Sequence, residues 1–334
     1  IVVANLLARE AQEAAAPARP RPPQRPGFGG MNVQFSFGSA PPRPATRAAP
    51  VPATRSQGAA RFERPVILLS APRSGSTLLF ETLSQAPGLL TIGHESHRTI
   101  EGLPGLHPAA RGYGSNRLTA EDASDEIAEA LRSAFAGALR DRDGRPPLPG
   151  RPVRLLEKTP KNILRVPFLR RVFPDALFVY LYREPRPVLA SMIEAWQSGR
   201  FRTYAELPGW VGPPWSLLLV PGWRDLIGRP LEEIVARQWA AATAVLLDDV
   251  ASLPREAVVT VRYDDLVARP DAEARRLCAA AGLDWDRPLA RLPLSRHTLT
   301  PPDPDKWRRH EAEINRVLPV VEEVRRRAEA FVAG

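Results

Sequence analysis

One stretch constrains the fold of this chain more than any other: an apolar run, a short turn and a helical pattern in immediate succession. Residues 66–69 are Val-Ile-Leu-Leu, a continuous apolar run typical of a strand that is covered on both faces in a parallel sheet. From Ser76 onward apolar residues recur at helical spacing until Pro87 and Gly88. We therefore expect an α/β fold in which this strand passes into a helix.

The turn at residues 70–75 has the features of a phosphate or sulfate site. Ser74 and Ser76 are helix-capping types, Gly75 lets the backbone approach a ligand, and Arg73 adds a permanent charge. A helix N-terminus offers unsatisfied N–H groups and the positive end of its dipole. The turn lacks the two glycines and the Lys-Ser/Thr pair of a nucleotide-triphosphate P-loop. An ordinary turn with a surface arginine is the alternative interpretation.

The first 61 residues differ in composition from the rest of the chain. They are rich in Pro, Ala, Arg and Gly, and apolar periodicity is absent after Leu7. We predict a disordered linker at residues 1–61 and a single domain at 62–334. The linker contains eight arginines and two glutamates, which accounts for six of the nine formal positive charges. The domain itself is nearly balanced, so we expect no nucleic-acid partner.

Composition also bounds the cellular setting. No apolar run approaches the length of a membrane span, and residues 1–7 are too short for a signal sequence. Cys278 is the only cysteine, which excludes an internal disulfide and a cysteine-based metal cluster. We expect a cytoplasmic protein with no membrane partner and no metal. Because the chain begins with Ile1, we also consider it a candidate segment of a longer multidomain protein.

Two segments resemble one enzyme family. Residues 72–77, Pro-Arg-Ser-Gly-Ser-Thr, resemble the 5′-phosphosulfate loop of sulfotransferases that use 3′-phosphoadenosine-5′-phosphosulfate (PAPS). They look most like the branch that includes the tyrosylprotein sulfotransferases and many bacterial enzymes. The strand pattern at residues 176–182, followed by Arg183 and by Ser191 eight residues later, resembles the family's 3′-phosphate segment. The resemblance implies that PAPS is bound by Arg73, Ser74, Gly75, Ser76, Thr77, Arg183 and Ser191.

The catalytic residues are also implied by resemblance. Glu95 follows a second short strand pattern and precedes Arg98 by three residues, as in the tyrosylprotein enzymes, so Glu95 is the candidate general base. A carboxylate can take the proton of an attacking hydroxyl. A surface pair with Arg98 is the alternative, and His94 and His97 compete for the same role. The Glu-Lys-Thr-Pro run at residues 157–160 resembles the family motif.

In that motif Lys158 would stabilise charge on the departing oxygen, together with Arg73. A surface pair of Lys158 with Glu157 is the alternative. Two later segments complete the resemblance. Tyr263 opens a run similar to the family's Tyr-Glu-Asp-Leu segment near the adenine. Lys306 and Trp307 resemble the Gly-Lys-Trp element that closes over the nucleotide, although Asp305 stands where glycine is usual.

Residues 196–223 are aromatic, rich in proline and glycine, and poor in regular pattern. We predict that this segment forms a lid or an acceptor wall rather than core. With the neighbourhood of the base, it supplies the candidate acceptor-binding residues, which are His94, Arg98, Trp196, Phe201, Tyr204 and Trp210.

The sequence therefore predicts one P-loop-like α/β domain with a mostly parallel sheet of about five strands and helices on both faces. The activity implied by the resemblance is sulfuryl transfer from PAPS to a hydroxyl of a phenolic or apolar small molecule. A peptide tyrosine or a carbohydrate is the alternative acceptor. A nucleotide kinase and a non-catalytic nucleotide-binding module are the competing classes, and the kinase would need a Lys-Ser/Thr loop that this chain lacks.

Overall fold

Strands from distant parts of the chain form the central sheet. The computed structural model describes residues 60–292, 303 and 305–334, so most of the predicted linker lies outside the described residues. The strands are β1 (Val66–Leu69), β2 (Leu89–Leu90), β3 (Arg154–Lys158), β4 (Leu177–Tyr182), β5 (Arg202–Tyr204), β6 (Trp215–Ser216) and β7 (Val258–Arg262). Five of them form one parallel sheet in the order β2-β3-β1-β4-β7, which confirms the predicted α/β sheet. The other two, β5 and β6, pair antiparallel with each other.

The helices of the described residues connect these strands and cover both faces of the sheet. In chain order they are α1 (Ser76–Leu83), α2 (His97–Glu101), α3 (Asp125–Ala138), α4 (Val166–Val172), α5 (Pro185–Ser198), α6 (Leu231–Ala251), α7 (Tyr263–Ala268), α8 (Pro270–Ala281) and α9 (Glu311–Ala333). None of the helices in this described part of the chain is long and apolar enough to cross a bilayer.

The apolar run of β1 is buried on both sides, as a continuous run in a parallel sheet requires. Val66 and Leu68 join a cluster with α1 and α8, whereas Ile67 and Leu69 join the larger cluster on the opposite face. Helices α3, α4, α5, α6 and α9 all contribute apolar residues to that larger cluster. Cys278, on α8, is buried in the smaller cluster and is a core residue.

The register of the sheet gathers the candidate site residues. Val66 of β1 lies opposite Leu156 of β3 on one side and Leu177 of β4 on the other. Because the strands run parallel, the segments that follow them emerge at one edge, where ligands bind in open α/β sheets. These segments carry Arg73 after β1, Arg183 after β4 and Tyr263 after β7.

One local detail differs from the predicted pattern. The N-cap of α1 is Gly75, with φ of 96°, rather than a serine.

The segment after β3 forms two helices: a 3₁₀ helix, Pro160–Leu164, ends before α4 begins, and Pro167 lies in the first turn of α4. Proline is tolerated there because the first turn needs no N–H donor, so it opens a new helix instead of kinking an existing one.

Candidate active site

A cavity of about 860 Å³ opens at the carboxyl edge of the sheet. The loop after β1 forms one wall, with Arg73, Gly75, Ser76 and Thr77 lining the cavity. Ser74 is buried behind this wall, and its backbone N–H donates to the carbonyl of Ala71 at 3.3 Å. The helix N-terminus predicted to bind an anion therefore faces the cavity.

The candidate base and the candidate cation are in direct contact. Lys158 Nζ donates to Glu95 Oε1 at 2.6 Å and to Thr77 Oγ1 at 3.3 Å. Lys158 is 2% exposed and contacts Glu95, so it does not form the surface pair with Glu157 that was the alternative interpretation. His97 Nδ1 lies 3.7 Å from Glu95 Oε2. Thr77 and Glu95 line the cavity, and the buried Lys158 contacts both of them from behind the wall.

The two predicted phosphate segments also contact each other. Arg73 Nε donates to Ser191 Oγ at 3.1 Å, and Arg183 Nη1 donates to the carbonyl of Arg73 at 3.5 Å. The guanidinium of Arg183 lies over the ring of Tyr263, 4.0 Å from the centroid. Burial lowers the pKa of both arginines from its usual value. Both guanidinium groups are partly buried at the cavity wall, where a bound anionic group would favour their charged forms.

The segment with Lys306 and Trp307, which was predicted to close over the nucleotide, packs against α5. Lys306 forms an ion pair with Glu194 of α5, and the two residues are largely buried. The ring of Trp307 lies under Arg186, with 5.8 Å between the guanidinium carbon and the ring centroid. Lys306 and Trp307 both line the cavity. Lys306 therefore lines the same cavity as the predicted nucleotide-binding segments, and its ammonium group is paired with a carboxylate.

The predicted acceptor wall is only partly formed by the residues proposed for it. Phe201, Tyr204 and Arg98 line the cavity. Trp196 does not, because its ring is buried and its Nε1 donates to Gln238 Oε1 of α6 at 3.2 Å. The interpretation of Trp196 as an acceptor-binding residue is thereby corrected to a core role.

Trp210 and His94 are also absent from the cavity wall. The ring of Trp210 packs edge-on against that of Trp215, with 4.8 Å between centroids, and belongs to a cluster of four tryptophans. This tryptophan cluster consists of Trp196, Trp210, Trp215 and Trp223. Three of its members are 4% exposed or less, so the predicted aromatic lid is mainly core. His94 is exposed, and its ring contacts the carbonyl of Glu95 at 3.0 Å.

A charged group in the cavity wall was not found by sequence reasoning. Glu101 Oε1 accepts from Lys161 Nζ at 2.8 Å and from Arg165 Nη2 at 2.6 Å, and Tyr204 OH lies 3.3 Å from Lys161 Nζ. Burial lowers the pKa of Lys161. Burial raises the pKa of Glu101, but its two cationic partners outweigh that effect and leave it below the usual range. The rarity of lysine, with three in the chain, was the available signal for Lys161.

The chain belongs to a known family. A family model described as "Sulfotransferase family" matches residues 65–287, which is more than half of the chain. The chain is therefore a member of the sulfotransferase family, as the resemblance of its loop and strand-end motifs implied. Among the residues that the structure describes, no group of three or more His, Cys, Asp or Glu side chains could hold a metal ion.

Several curated relatives and solved structures are similar to parts of the chain. Nodulation protein NoeE of Sinorhizobium fredii is 28% identical over 65% of this chain and 49% of its own length. Protein-tyrosine sulfotransferase A of Caenorhabditis elegans is 23% identical over 66% and 50%. The chain spans about half the length of the curated relatives it matches. Sulfotransferase STF1 of Mycobacterium tuberculosis has a TM-score of 0.41 at 18% identity and covers 80% of this chain and 76% of its own.

Proposed function

We propose that this chain transfers a sulfuryl group from PAPS to the hydroxyl of an acceptor. The observation that carries the proposal is the contact of Lys158 with both Glu95 and Thr77, at 2.6 and 3.3 Å. This contact joins a proton acceptor and the predicted phosphosulfate loop, both of which line the cavity, through a buried cation. Membership of the sulfotransferase family supports this interpretation of the geometry.

The residues present fit a nucleotide that carries two separate anionic groups. Arg183 and Ser191 would hold the 3′-phosphate, and Arg73 with the N-terminus of α1 would hold the 5′-phosphosulfate. Arg73 reaches Ser191 in the structure, so the two subsites are adjacent. Tyr263 lies between Gly75 and Arg183, where it supports the loop and the guanidinium. PAPS would supply the sulfuryl group.

Three side chains divide the chemistry. Glu95 would take the proton of the acceptor hydroxyl as its oxygen attacks sulfur in line. Lys158 and Arg73 would donate hydrogen bonds to the oxygen that carries the developing charge on the leaving phosphate. Because Lys158 is buried, its charge acts in an environment of low dielectric, where such stabilisation is strong.

The cavity wall refines the proposed acceptor. With Trp196 and Trp210 in the tryptophan cluster, the aromatic residues that line the cavity outside the predicted nucleotide-binding segments are Phe201, Tyr204 and Tyr113. Beside them lie charged and polar groups, which are His97, Arg98, Glu101, His107, Lys161 and Glu206. We therefore propose a small-molecule hydroxyl, phenolic or otherwise aromatic, that also carries polar substituents. Of the phenolic or apolar small molecules expected from the sequence, one without polar substituents is less well matched to this wall.

Glu95→Gln tests the assignment of the base. The change keeps the shape of the side chain but removes the proton acceptor, so turnover should fall roughly 10²–10⁴-fold. The affinity for 3′-phosphoadenosine-5′-phosphate (PAP) should stay at the parent value. Transfer from radiolabelled PAPS to a panel of phenolic and polyhydroxylated acceptors measures the turnover. Undiminished turnover would assign the base to His97 or His94, and single substitutions at those positions would then decide between them.

A thermal-shift titration separates the proposed class from its competitors. PAP should raise the melting temperature in proportion to the logarithm of its concentration above Kd, whereas ATP with magnesium should have little effect. A phosphotransferase would respond in the opposite way. A module that binds PAP but shows no transfer with any acceptor in the panel would be the non-catalytic alternative.

The remaining expectations from the sequence stay proposals. They are the boundary of the domain at residue 62, a cytoplasmic setting, and the absence of nucleic-acid and membrane partners. The setting rests on the single cysteine, and the partner prediction rests on the near balance of charge in residues 62–334.

A further inference from the structure

A buried carboxylate beside the site has no part in the proposed chemistry. Glu157 lies in β3, is 2% exposed and does not line the cavity. Its Oε1 accepts hydrogen bonds from Ser96 Oγ and, at 2.9 Å, from Thr159 Oγ1. Its Oε2 accepts from Asn162 Nδ2 at 3.0 Å. Burial raises the pKa of Glu157. Burying a carboxylate is costly, so an arrangement with three donors calls for an explanation.

The partners of Glu157 lead to the candidate base. Ser96 directly follows Glu95 in the chain, and its backbone N–H donates to Thr159 Oγ1 at 2.7 Å. The hydroxyl and the backbone N–H of Ser96 are therefore both hydrogen-bonded to residues at the end of β3. Lys158, the residue after Glu157, contacts the carboxylate of Glu95. Successive residues of a strand point in opposite directions, so Glu157 can hold the backbone beside Glu95 while Lys158 meets its side chain.

Glu95 needs such an anchor because it lies outside the regular helices and strands. It lies in the short connection between β2 and α2, after Gly93, which has φ of 77°. Its side chain is 27% exposed, so packing alone does not fix it. A displacement of 1 Å in a reacting group can lower a rate by about two orders of magnitude. The position of this turn therefore determines the position of the proposed base.

We propose that Glu157 is a positioning residue that fixes the turn at residues 95–96 and thereby places the carboxylate of Glu95. The role in catalysis rests on the proposed function, whereas the anchoring of the turn does not. Thr159 takes part in the same anchoring, because its hydroxyl links Ser96 to Glu157 and makes no capping hydrogen bond to the 3₁₀ helix that follows.

Hydrogen exchange tests the anchor without any acceptor. In Glu157→Gln, peptides that cover residues 92–98 should exchange faster than in the parent, because the bonds that hold Ser96 are weakened. Peptides that cover residues 70–78 should be unchanged, and so should the melting-temperature shift with PAP. Ser96→Ala removes one donor without altering the buried charge, and it should give the same local effect should Glu157→Gln fold poorly.

Asp249→Asn is the matched control. Asp249 is also a largely buried carboxylate, paired with Arg117, and neither residue lines the cavity. This variant should lower the melting temperature and leave exchange at residues 92–98 and turnover at parent values. Exchange at 92–98 that is equal in Glu157→Gln and in the parent would overturn the proposal.

Turnover then tests the link to catalysis. Glu157→Gln should lower kcat about 10- to 100-fold with an unchanged KM for PAPS, because the base is misplaced and the donor site is intact. The double variant Glu157→Gln/Ser96→Ala should be no slower than Glu157→Gln alone, because both changes disrupt the same set of hydrogen bonds. Independent, multiplying losses or a raised KM for PAPS would contradict a positioning role. If the parent protein neither binds PAP nor transfers a sulfuryl group, the proposed function is wrong. The hydrogen-exchange result would still show whether Glu157 anchors the turn at residues 95–96.

Discussion

At the scale of single residues, Gly75 shows how tightly the loop and its support are fitted. A Cβ on Gly75 would lie 2.6 and 2.7 Å from two ring carbons of Tyr263. The backbone φ of 96° is also a value that residues other than glycine rarely adopt. The Tyr263 ring in turn lies under Arg183. The backbone of one predicted subsite therefore determines the position of the arginine in the other.

Gly75→Ala should weaken PAP binding through this chain of contacts. The added methyl group would displace the ring of Tyr263 and, with it, the guanidinium of Arg183. Calorimetric titration with PAP measures the loss of affinity. Gly137→Ala is the control, because Gly137 lies in α3, a Cβ there meets nothing within 4 Å, and the change should stabilise the helix by about 0.5–1 kcal/mol. Equal PAP affinity in both variants would contradict the proposed coupling.

Arg183→Ala should weaken PAP binding by roughly 1.5–3 kcal/mol, the range for a hydrogen bond to a charged group. The loss should be much smaller for adenosine 5′-phosphate, which lacks the 3′-phosphate. Titration of both nucleotides against parent and variant gives the comparison. Arg275→Ala, which removes an exposed arginine paired with Asp271 on α8, should change neither affinity. An equal loss for the two nucleotides would place Arg183 elsewhere than at the 3′-phosphate.

At the scale of elements, the sequence predicts the parts whose signal is local. The apolar run of β1 and the helical spacing of α1 lie within a few residues of each other, so the strand–turn–helix could be recognised without knowledge of the fold. The strand ends at Lys158 and Arg183 could be found in the same way. Their meeting with Thr77 and Ser191 follows from the parallel sheet that these patterns predict.

The aromatic segment could not be interpreted from sequence because its partners are remote. Its tryptophans show no periodicity that would indicate a buried face. Burial comes from α6, where the fully buried Gln238 donates to the carbonyls of Ser216 and Leu218 at 3.0 and 2.6 Å and accepts from Trp196. The contact of Lys161 with Glu101 was missed for the same reason, since it joins residues of α2 and of the 3₁₀ helix after β3.

Trp215→Ala should therefore behave as a core truncation. Removing this fully buried ring should lower the free energy of unfolding by about 3–5 kcal/mol. Trp210→Ala, at a half-buried member of the same tryptophan cluster, should have a smaller effect. Equilibrium denaturation in urea measures both, and similar small losses would restore the interpretation of the segment as a lid. Deleting residues 200–222 would remove core as well as cavity wall, so loss of activity after that deletion would not identify the acceptor site.

At the scale of the whole molecule, acid should destabilise the fold partly through His97. Its pKa is lowered below 6.5 by burial and by the nearby Lys161, in spite of Glu95 and Glu101. Below pH 6.5 the unfolded chain takes up this proton more readily than the folded chain, so the stabilisation is complete above that pH and is lost as pH falls. The melting temperature of the parent should therefore fall more than that of His97→Gln between about pH 7.5 and 5.5. Identical profiles would contradict the assignment.

The order of the strands has a consequence for synthesis of the protein. β1 is made before both its neighbours in the sheet, β3 and β4, which follow about a hundred residues later. At translation rates of 5–20 residues per second, the ~85 residues between β1 and β3 take about 4–17 s. During that interval β1, apolar on both faces, has no partner strand, so the nascent chain exposes a hydrophobic segment of the kind that chaperones bind.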